Sequence, residues 1–82
     1  MEVMVRFSQD FVRVTGSPRL TVALEEGATV ADLLAALRDQ YPALAKPLAA
    51  AIPVLTGQYA DEATTLQAGQ EISLLTPVSG GS

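Results

Sequence analysis

One segment of the sequence carries a clear helical pattern, and strand-like patterns lie on both sides of it. In residues 29–42, apolar side chains recur at spacings of three and four. Thr29 occupies the N-cap position with Asp32 as its capping partner, and Pro42 ends the helix because the residue before a proline avoids the α conformation. A single amphipathic helix among strands predicts a small α+β fold, in which the helix covers one face of a sheet.

Alternating apolar and polar residues predict the strands. Residues 2–7, 19–24 and 71–76 each place most of their apolar side chains on one face. The first two strands are predicted to form a hairpin across an intervening loop. Pro53 cannot donate a ladder hydrogen bond, so a third strand at Val54 is expected to begin at that proline or to lie near a sheet edge.

The order of these elements predicts the architecture. It is β-β-α-β-(β)-β, with a short helical turn over residues 43–51 and a polar loop over residues 59–65. The first and last strands are expected side by side and parallel at the centre, because parallel strands need a long crossover. We therefore predict an α+β, β-grasp (ubiquitin-like) domain over residues 1–76, with a mixed sheet of roughly four to five strands and one main helix.

Composition restricts the functional classes open to this chain. It has 82 residues, no cysteine, no histidine and a net charge of −4. The absence of these two residue types removes thiol chemistry, disulfides and the commonest general base, which argues against an enzyme acting by itself. Its basic residues are scattered along the sequence, so nucleic-acid binding is not expected.

Targeting signals are also missing from the sequence. No apolar run approaches the roughly 20 residues of a membrane span, and no charged-then-apolar segment indicates a secretory signal. A cytoplasmic protein without membrane contact, bound metal or bound cofactor is therefore expected.

The C-terminal residues form a segment that cannot contribute to a core. These residues are Pro77, Val78, Ser79, Gly80, Gly81 and Ser82. We predict a flexible, thin tail over residues 77–82, since glycine has no Cβ and can approach another surface closely. The tail suits delivery of a terminal carboxyl group into a narrow site on another protein. A frayed terminus is the plainer alternative.

Three motifs carry a family resemblance. Residues 24–34 read LEEGATVADLL, residues 66–72 read LQAGQEI, and residues 76–81 read TPVSGG. In this order and at these spacings they resemble the bacterial MoaD/ThiS family of ubiquitin-like sulfur carriers. The resemblance spans nearly the whole chain. It is nearest to MoaD, the small subunit of molybdopterin synthase, while ThiS serves thiamine synthesis.

The resemblance implies a carrier mechanism. An E1-like adenylating enzyme of the MoeB/ThiF type would activate the Gly81 carboxylate with ATP, and a sulfur donor would convert the adenylate to a thiocarboxylate. The tail would then deliver sulfur inside the large molybdopterin synthase subunit or an equivalent sulfur-accepting enzyme. Gly81 is then the reacting residue, and Pro77, Val78, Ser79 and Gly80 form the arm.

Ser82 departs from the family pattern, in which the second glycine carries the free carboxylate. Either a processing protease removes Ser82, or it is a cloning remnant, or the chain does not carry sulfur. Thr56, Gln70 and Thr76 also replace the family's usual asparagine, aspartate and proline, and structural roles are expected for all three.

Sheet alternation predicts a docking surface as well. If Val5 and Ile72 face the helix, Met4 and Leu75 point to the opposite, uncovered face. Apolar side chains on such a face indicate a partner interface. Ordinary scattered surface hydrophobic residues are the alternative.

Other functions stay open at this point. A carrier for thiamine, cysteine, methionine, tRNA or siderophore synthesis would use the same chemistry after loss of Ser82. A ubiquitin-like modifier would join Gly81 to a target lysine, and an interaction module would keep the fold without the chemistry. A catalytic pair of Asp61 and Glu62 is disfavoured, because adjacent carboxylates on a polar loop are usually solvated.

Overall fold

The computed structural model describes residues 1–76, which form one five-stranded sheet with helices on one face. The strands are β1 (Glu2–Phe7), β2 (Arg19–Ala23), β3 (Ile52–Leu55), β4 (Gln58–Tyr59) and β5 (Glu71–Leu75). The helices are α1 (Gln9–Thr15), α2 (Val30–Gln40) and α3 (Ala45–Ala49), with a 3₁₀ turn at Pro42–Leu44.

The strand order across the sheet is β2-β1-β5-β3-β4. The central strands β1 and β5 are parallel, with Val5 beside Ile72. All other neighbouring strands are antiparallel. The first and last strands therefore meet at the centre, and the β-grasp architecture predicted from the sequence is confirmed.

Helix α2 is the main helix and begins and ends where the sequence predicts. The Thr29 backbone N–H donates to Asp32 Oδ2 at 2.9 Å, and the Asp32 N–H donates to Thr29 Oγ1 at 3.4 Å. These reciprocal bonds form the capping box and satisfy two donors at the helix N-terminus. The helix ends at Gln40, and Pro42 starts the following 3₁₀ turn.

Helix α1 was not predicted, since residues 8–18 were expected to be a loop. Its seven residues are too short for the helical periodicity to stand out, yet Phe11 is fully buried. The Phe11 ring lies 6.0 Å from that of Phe7, measured between centroids. The helix ends at Thr15 and is capped by Gly16, whose φ of 75° belongs to the left-handed region that glycine favours.

Strand β3 begins at Ile52, one residue before the predicted start at Pro53. It lies next to the two-residue edge strand β4, whose Tyr59 the sequence predicted to lie in a polar loop. The Pro53 carbonyl accepts a bond from the Ala60 N–H at 2.9 Å, so this residue contributes an acceptor but no donor. The prediction of a strand near the sheet edge is confirmed.

The core lies between the sheet and the helices and is built from aliphatic side chains and two phenylalanines. Its central members are Val3, Val5, Phe7, Phe11, Val30, Leu33, Leu37, Leu44, Ile72 and Leu74. Among residues 1–76 no polar or charged residue is buried, so hydrophobic burial dominates the stability of the domain. Within the same range, no helix combines the length and hydropathy needed to cross a membrane.

Candidate docking site on the open face of the sheet

The candidate site residues fall into two groups. Met4 and Leu75 lie in strands β1 and β5. The predicted tail at residues 77–82, including the reacting residue Gly81, lies outside the described residues. The boundary between domain and tail, and the roles assigned to tail residues, therefore stay predictions.

Strand β5 leads to Thr76 at the centre of the sheet. The Ser8 N–H donates to the Leu74 carbonyl at 3.3 Å, which extends the β1–β5 pairing by one residue. Ser8 Oγ and Thr76 Oγ1 lie 3.4 Å apart and share a hydrogen bond. Thr76, the residue from which the predicted tail continues, is thus held beside the end of β1.

The face of the sheet turned away from the helices, called the open face below, carries an apolar patch. Cross-strand partners project from the same side, so the register identifies its members. Leu75 lies opposite Ile52, and in the next row Val54 lies opposite Tyr59. These four side chains, the apolar patch, sit beside the end of the described chain at Thr76.

The apolar patch is accessible to a partner. Leu75 is 42% exposed and Tyr59 is 82% exposed. Ile52 and Val54 are half-buried. Exposed aromatic and aliphatic side chains that lie together are enriched at protein interfaces, whereas isolated ones are common everywhere. The clustering therefore favours the interface prediction made for Leu75.

Met4 does not belong to this patch, although it lies on the open face as alternation predicts. Its partner on β5 is Glu71. Glu71 and Leu75 stand at opposite ends of that strand, about 13 Å apart at about 3.3 Å per residue. The structure thus brings Leu75 together with Ile52, Val54 and Tyr59, and leaves Met4 apart.

The three additional members of the patch were missed in the sequence. Ile52 and Val54 flank Pro53 with the period of a strand, which is a usable signal. Tyr59 lies among polar residues, where no alternation is visible. Their proximity to Leu75 depends on which strands pair and in which register, and a single strand's pattern does not contain that information.

Two of the residues that depart from the family pattern, Gln70 and Thr76, make structural hydrogen bonds, and the third, Thr56, is compatible with its turn. The Gln70 side-chain carbonyl Oε1 accepts a bond from the Gln67 N–H at 2.9 Å and so closes the turn before β5. The hairpin between β3 and β4 has its one positive φ, 71°, at Gly57, so Thr56 needs no left-handed conformation there. Thr76 has a hydroxyl group that shares a hydrogen bond with the Ser8 hydroxyl, whereas a proline at this position would have none.

Asp61 also has a structural role. Its Oδ1 accepts bonds from the Ala63 N–H at 2.9 Å and from the Thr64 hydroxyl at 3.1 Å, which organises the loop after β4. Across residues 1–76 no group of acidic residues is arranged to hold a metal ion.

The mixed sheet and the helices packed on one of its faces define a ubiquitin-like β-grasp protein. The sequence profile described as the ThiS family matches residues 5–81. The chain therefore belongs to the ThiS family, which confirms its identification as a MoaD/ThiS-type ubiquitin-like sulfur carrier. No curated protein matches the chain by sequence.

Solved structures agree with this assignment. SAMP1 from Haloferax volcanii is similar at 29% identity and a TM-score of 0.85, over 99% of this chain and 100% of that one. The small archaeal modifier protein 1 from Methanosarcina acetivorans is 28% identical with a TM-score of 0.80, covering 98% and 96%. A chain in the complex of subunits 1 and 2 of the molybdopterin-converting factor from Helicobacter pylori is 28% identical with a TM-score of 0.70, covering 99% and 100%.

Proposed function

We propose that this chain carries sulfur as a thiocarboxylate on Gly81 and donates it in molybdopterin synthesis. The observation that supports the proposal best is the position of β5. This central strand ends beside the exposed apolar patch, so a tail that continues from Thr76 starts next to a surface suited to docking. The family match extends through Gly81, which is the position of the reacting glycine in the proposal.

The proposed chemistry has two steps before delivery. An E1-like adenylating enzyme joins the Gly81 carboxylate to AMP and releases pyrophosphate from ATP. A sulfide equivalent from a donor then displaces AMP and leaves a thiocarboxylate. The chain is a cosubstrate in these steps, not an enzyme, and needs no cofactor of its own. A cytoplasmic location is part of the proposal, because adenylation consumes ATP.

The proposed partners are the adenylating enzyme and a sulfur-accepting enzyme. The Helicobacter pylori structure contains subunits 1 and 2 of a molybdopterin-converting factor in complex. This supports an analogous larger partner for the present chain, bound through the open face. A protease is a further proposed partner, since hydrolysis of the Gly81–Ser82 bond frees the carboxylate that must be activated.

Intact mass spectrometry of the untagged protein from its native host tests the proposal. The expected species is lighter by one serine residue, with a fraction heavier by the difference between sulfur and oxygen. A homogeneous chain that still ends in Ser82 would contradict it, because the Gly81 carboxylate would never be available.

A matched pair of chains tests the chemistry in vitro. One chain ends at Gly81 and the other at Ser82, and each is incubated with ATP and the adenylating enzyme of the same organism. Pyrophosphate release is expected to require the shorter chain. Equal inactivity of both chains would favour an interaction module that lacks the carrier chemistry.

A second candidate function is protein modification. It is favoured by the similarity to small archaeal modifier proteins of two organisms, at 28% and 29% identity. In this case the activated Gly81 would form an isopeptide bond with a target lysine. Ladders of higher-mass adducts in cells, absent from a strain whose chain lacks Gly80 and Gly81, would identify this function.

A further inference from the structure

One row of side chains crosses all five strands of the open face. The register joins Arg19 on β2 to Arg6 on β1, Arg6 to Ser73 on β5, Ser73 to Val54 on β3, and Val54 to Tyr59 on β4. The row is basic at one side of the sheet and apolar at the other. Its apolar half belongs to the apolar patch described above.

The basic half of this row is an exception in the molecule. The chain carries 5 basic and 9 acidic residues, yet Arg6 and Arg19 are exposed and directly opposite one another. Like charges in directly opposed cross-strand positions destabilise a sheet. Thirteen positions separate them in the sequence, so their pairing becomes visible only in the fold.

The charges of the open face are also ordered along the strands. Glu71 lies one row further from the end of β5, opposite Met4. Glu2 lies one row further still, opposite Ala23. Among the charged residues of the open face, the two arginines therefore lie in the row nearest the end of β5, where Thr76 leads into the predicted tail.

We propose that Arg6 and Arg19 dock against carboxylates on the adenylating enzyme that activates the tail, beside an apolar pocket on that enzyme that takes Leu75 and Tyr59. This inference rests on the proposed function and adds the chemistry of the partner's surface. A surface with one basic half and one apolar half fits a complementary partner in one orientation only. Electrostatic complementarity of this kind fixes the relative orientation of two proteins and raises their association rate. The resulting orientation would place the tail at the entrance of the partner's active site.

The arrangement favours a protein surface over other anionic ligands. Nucleic acids bind through many phosphate contacts, whereas this face offers two arginines together with two carboxylates. A small free anion would make no use of the adjoining apolar patch. An acidic surface with an apolar pocket uses both halves of the row.

A charge reversal with a matched control tests the inference. Arg6→Glu/Arg19→Glu reverses the pair, and Arg38→Glu/Lys46→Glu makes the same change of net charge on helices α2 and α3. Each chain, ending at Gly81, is titrated into the adenylating enzyme of the same organism by calorimetry. The reversal on the sheet is expected to weaken binding at least about tenfold, and the control less than about threefold.

Salt and a conservative variant complete the test. Raising salt from about 0.1 M to about 1 M shortens the screening length from about 10 Å to about 3 Å and is expected to weaken binding of the unmodified chain but not of the reversed one. Arg6→Lys/Arg19→Lys is expected to retain the affinity. Circular dichroism checks that every variant is folded.

The outcomes separate the inference from the proposed function. If the unmodified chain is adenylated and the reversed chain binds equally well, the inference is overturned and the carrier function stands. Equal weakening by the helix control would also overturn it, because net charge alone would then explain the effect. If the unmodified chain neither binds nor is adenylated, both fail together.

Discussion

The two faces of strand β5 show how one sheet serves stability and binding at once. Ile72 and Leu74 face the helices and are fully buried, whereas Leu75, the next residue, is 42% exposed on the open face. The first two complete an aliphatic core, and the third joins a patch that no described part of the chain covers. Burying an aliphatic side chain completely contributes roughly 1.5–3 kcal/mol, and the open face forgoes part of that contribution.

The difference also appears in charge. Among residues 1–76 no charged side chain is buried, so the core beneath the helices, on what is called the closed face of the sheet, contains no charge. The open face places two arginines opposite each other, an arrangement that stability alone disfavours. A face shaped for stability would pair these positions with opposite charges. The contrast supports the proposed docking role of the open face.

The largest effect is expected from a pair of matched truncations on β5, one on each face of the sheet. Ile72→Ala removes buried methyl groups and leaves a cavity, so it is expected to lower the free energy of unfolding by about 3 kcal/mol. Leu75→Ala is expected to lower it by less than about 1 kcal/mol, since the side chain is partly in water already. Urea denaturation measures both. Equal losses would mean that the open face is packed as tightly as the closed one.

A charge on the open face tests its role in binding. Leu75→Glu is expected to abolish detectable binding to the adenylating enzyme, a loss of at least about 2 kcal/mol, because it places a carboxylate at the centre of the contact. The fold is expected to stay intact. Titration calorimetry measures the affinity, and unchanged affinity would show that docking uses another surface. Ala35→Glu, which adds the same charge at an exposed position of helix α2 on the other side of the sheet, is the control.

A substitution at the cap of helix α2, which covers the closed face, is expected to have a smaller effect on stability. Thr29→Ala removes the hydroxyl that caps α2 and is expected to lower the free energy of unfolding by about 1 kcal/mol. Partner binding is expected to be unchanged, because Thr29 lies on the helix side of the sheet. Denaturation and titration of the same sample check both parts, and a loss of affinity without a loss of stability would contradict the division between the faces.

The closed face could be predicted from the sequence to a larger extent than the open face. The period of two in β1 and β5 and the capped, amphipathic pattern of α2 identify the core, since each pattern is local. Phe11 was not predicted as a core residue, because helix α1 is too short to show a helical pattern in the sequence. The open face depends on cross-strand register, so Met4 and Leu75 were placed on the correct face, whereas the partners of Leu75 and the opposition of Arg6 to Arg19 were not foreseen.

The smallest effect is expected at Arg19 and runs in the favourable direction. Arg19→Glu replaces a like-charge pair by an opposite-charge pair with Arg6 and is expected to raise the free energy of unfolding by about 0.5 kcal/mol at low salt. The gain should vanish near 1 M salt, where the screening length falls to about 3 Å. Arg19→Gln, which only removes the repulsion, should give a smaller gain.

If the same Arg19→Glu variant also binds its enzyme less tightly, one substitution will have moved stability and binding in opposite directions. A gain in stability with unchanged binding would instead mean that the arginine pair destabilises the fold without contributing to binding. Docking through the open face would then depend on the apolar patch alone.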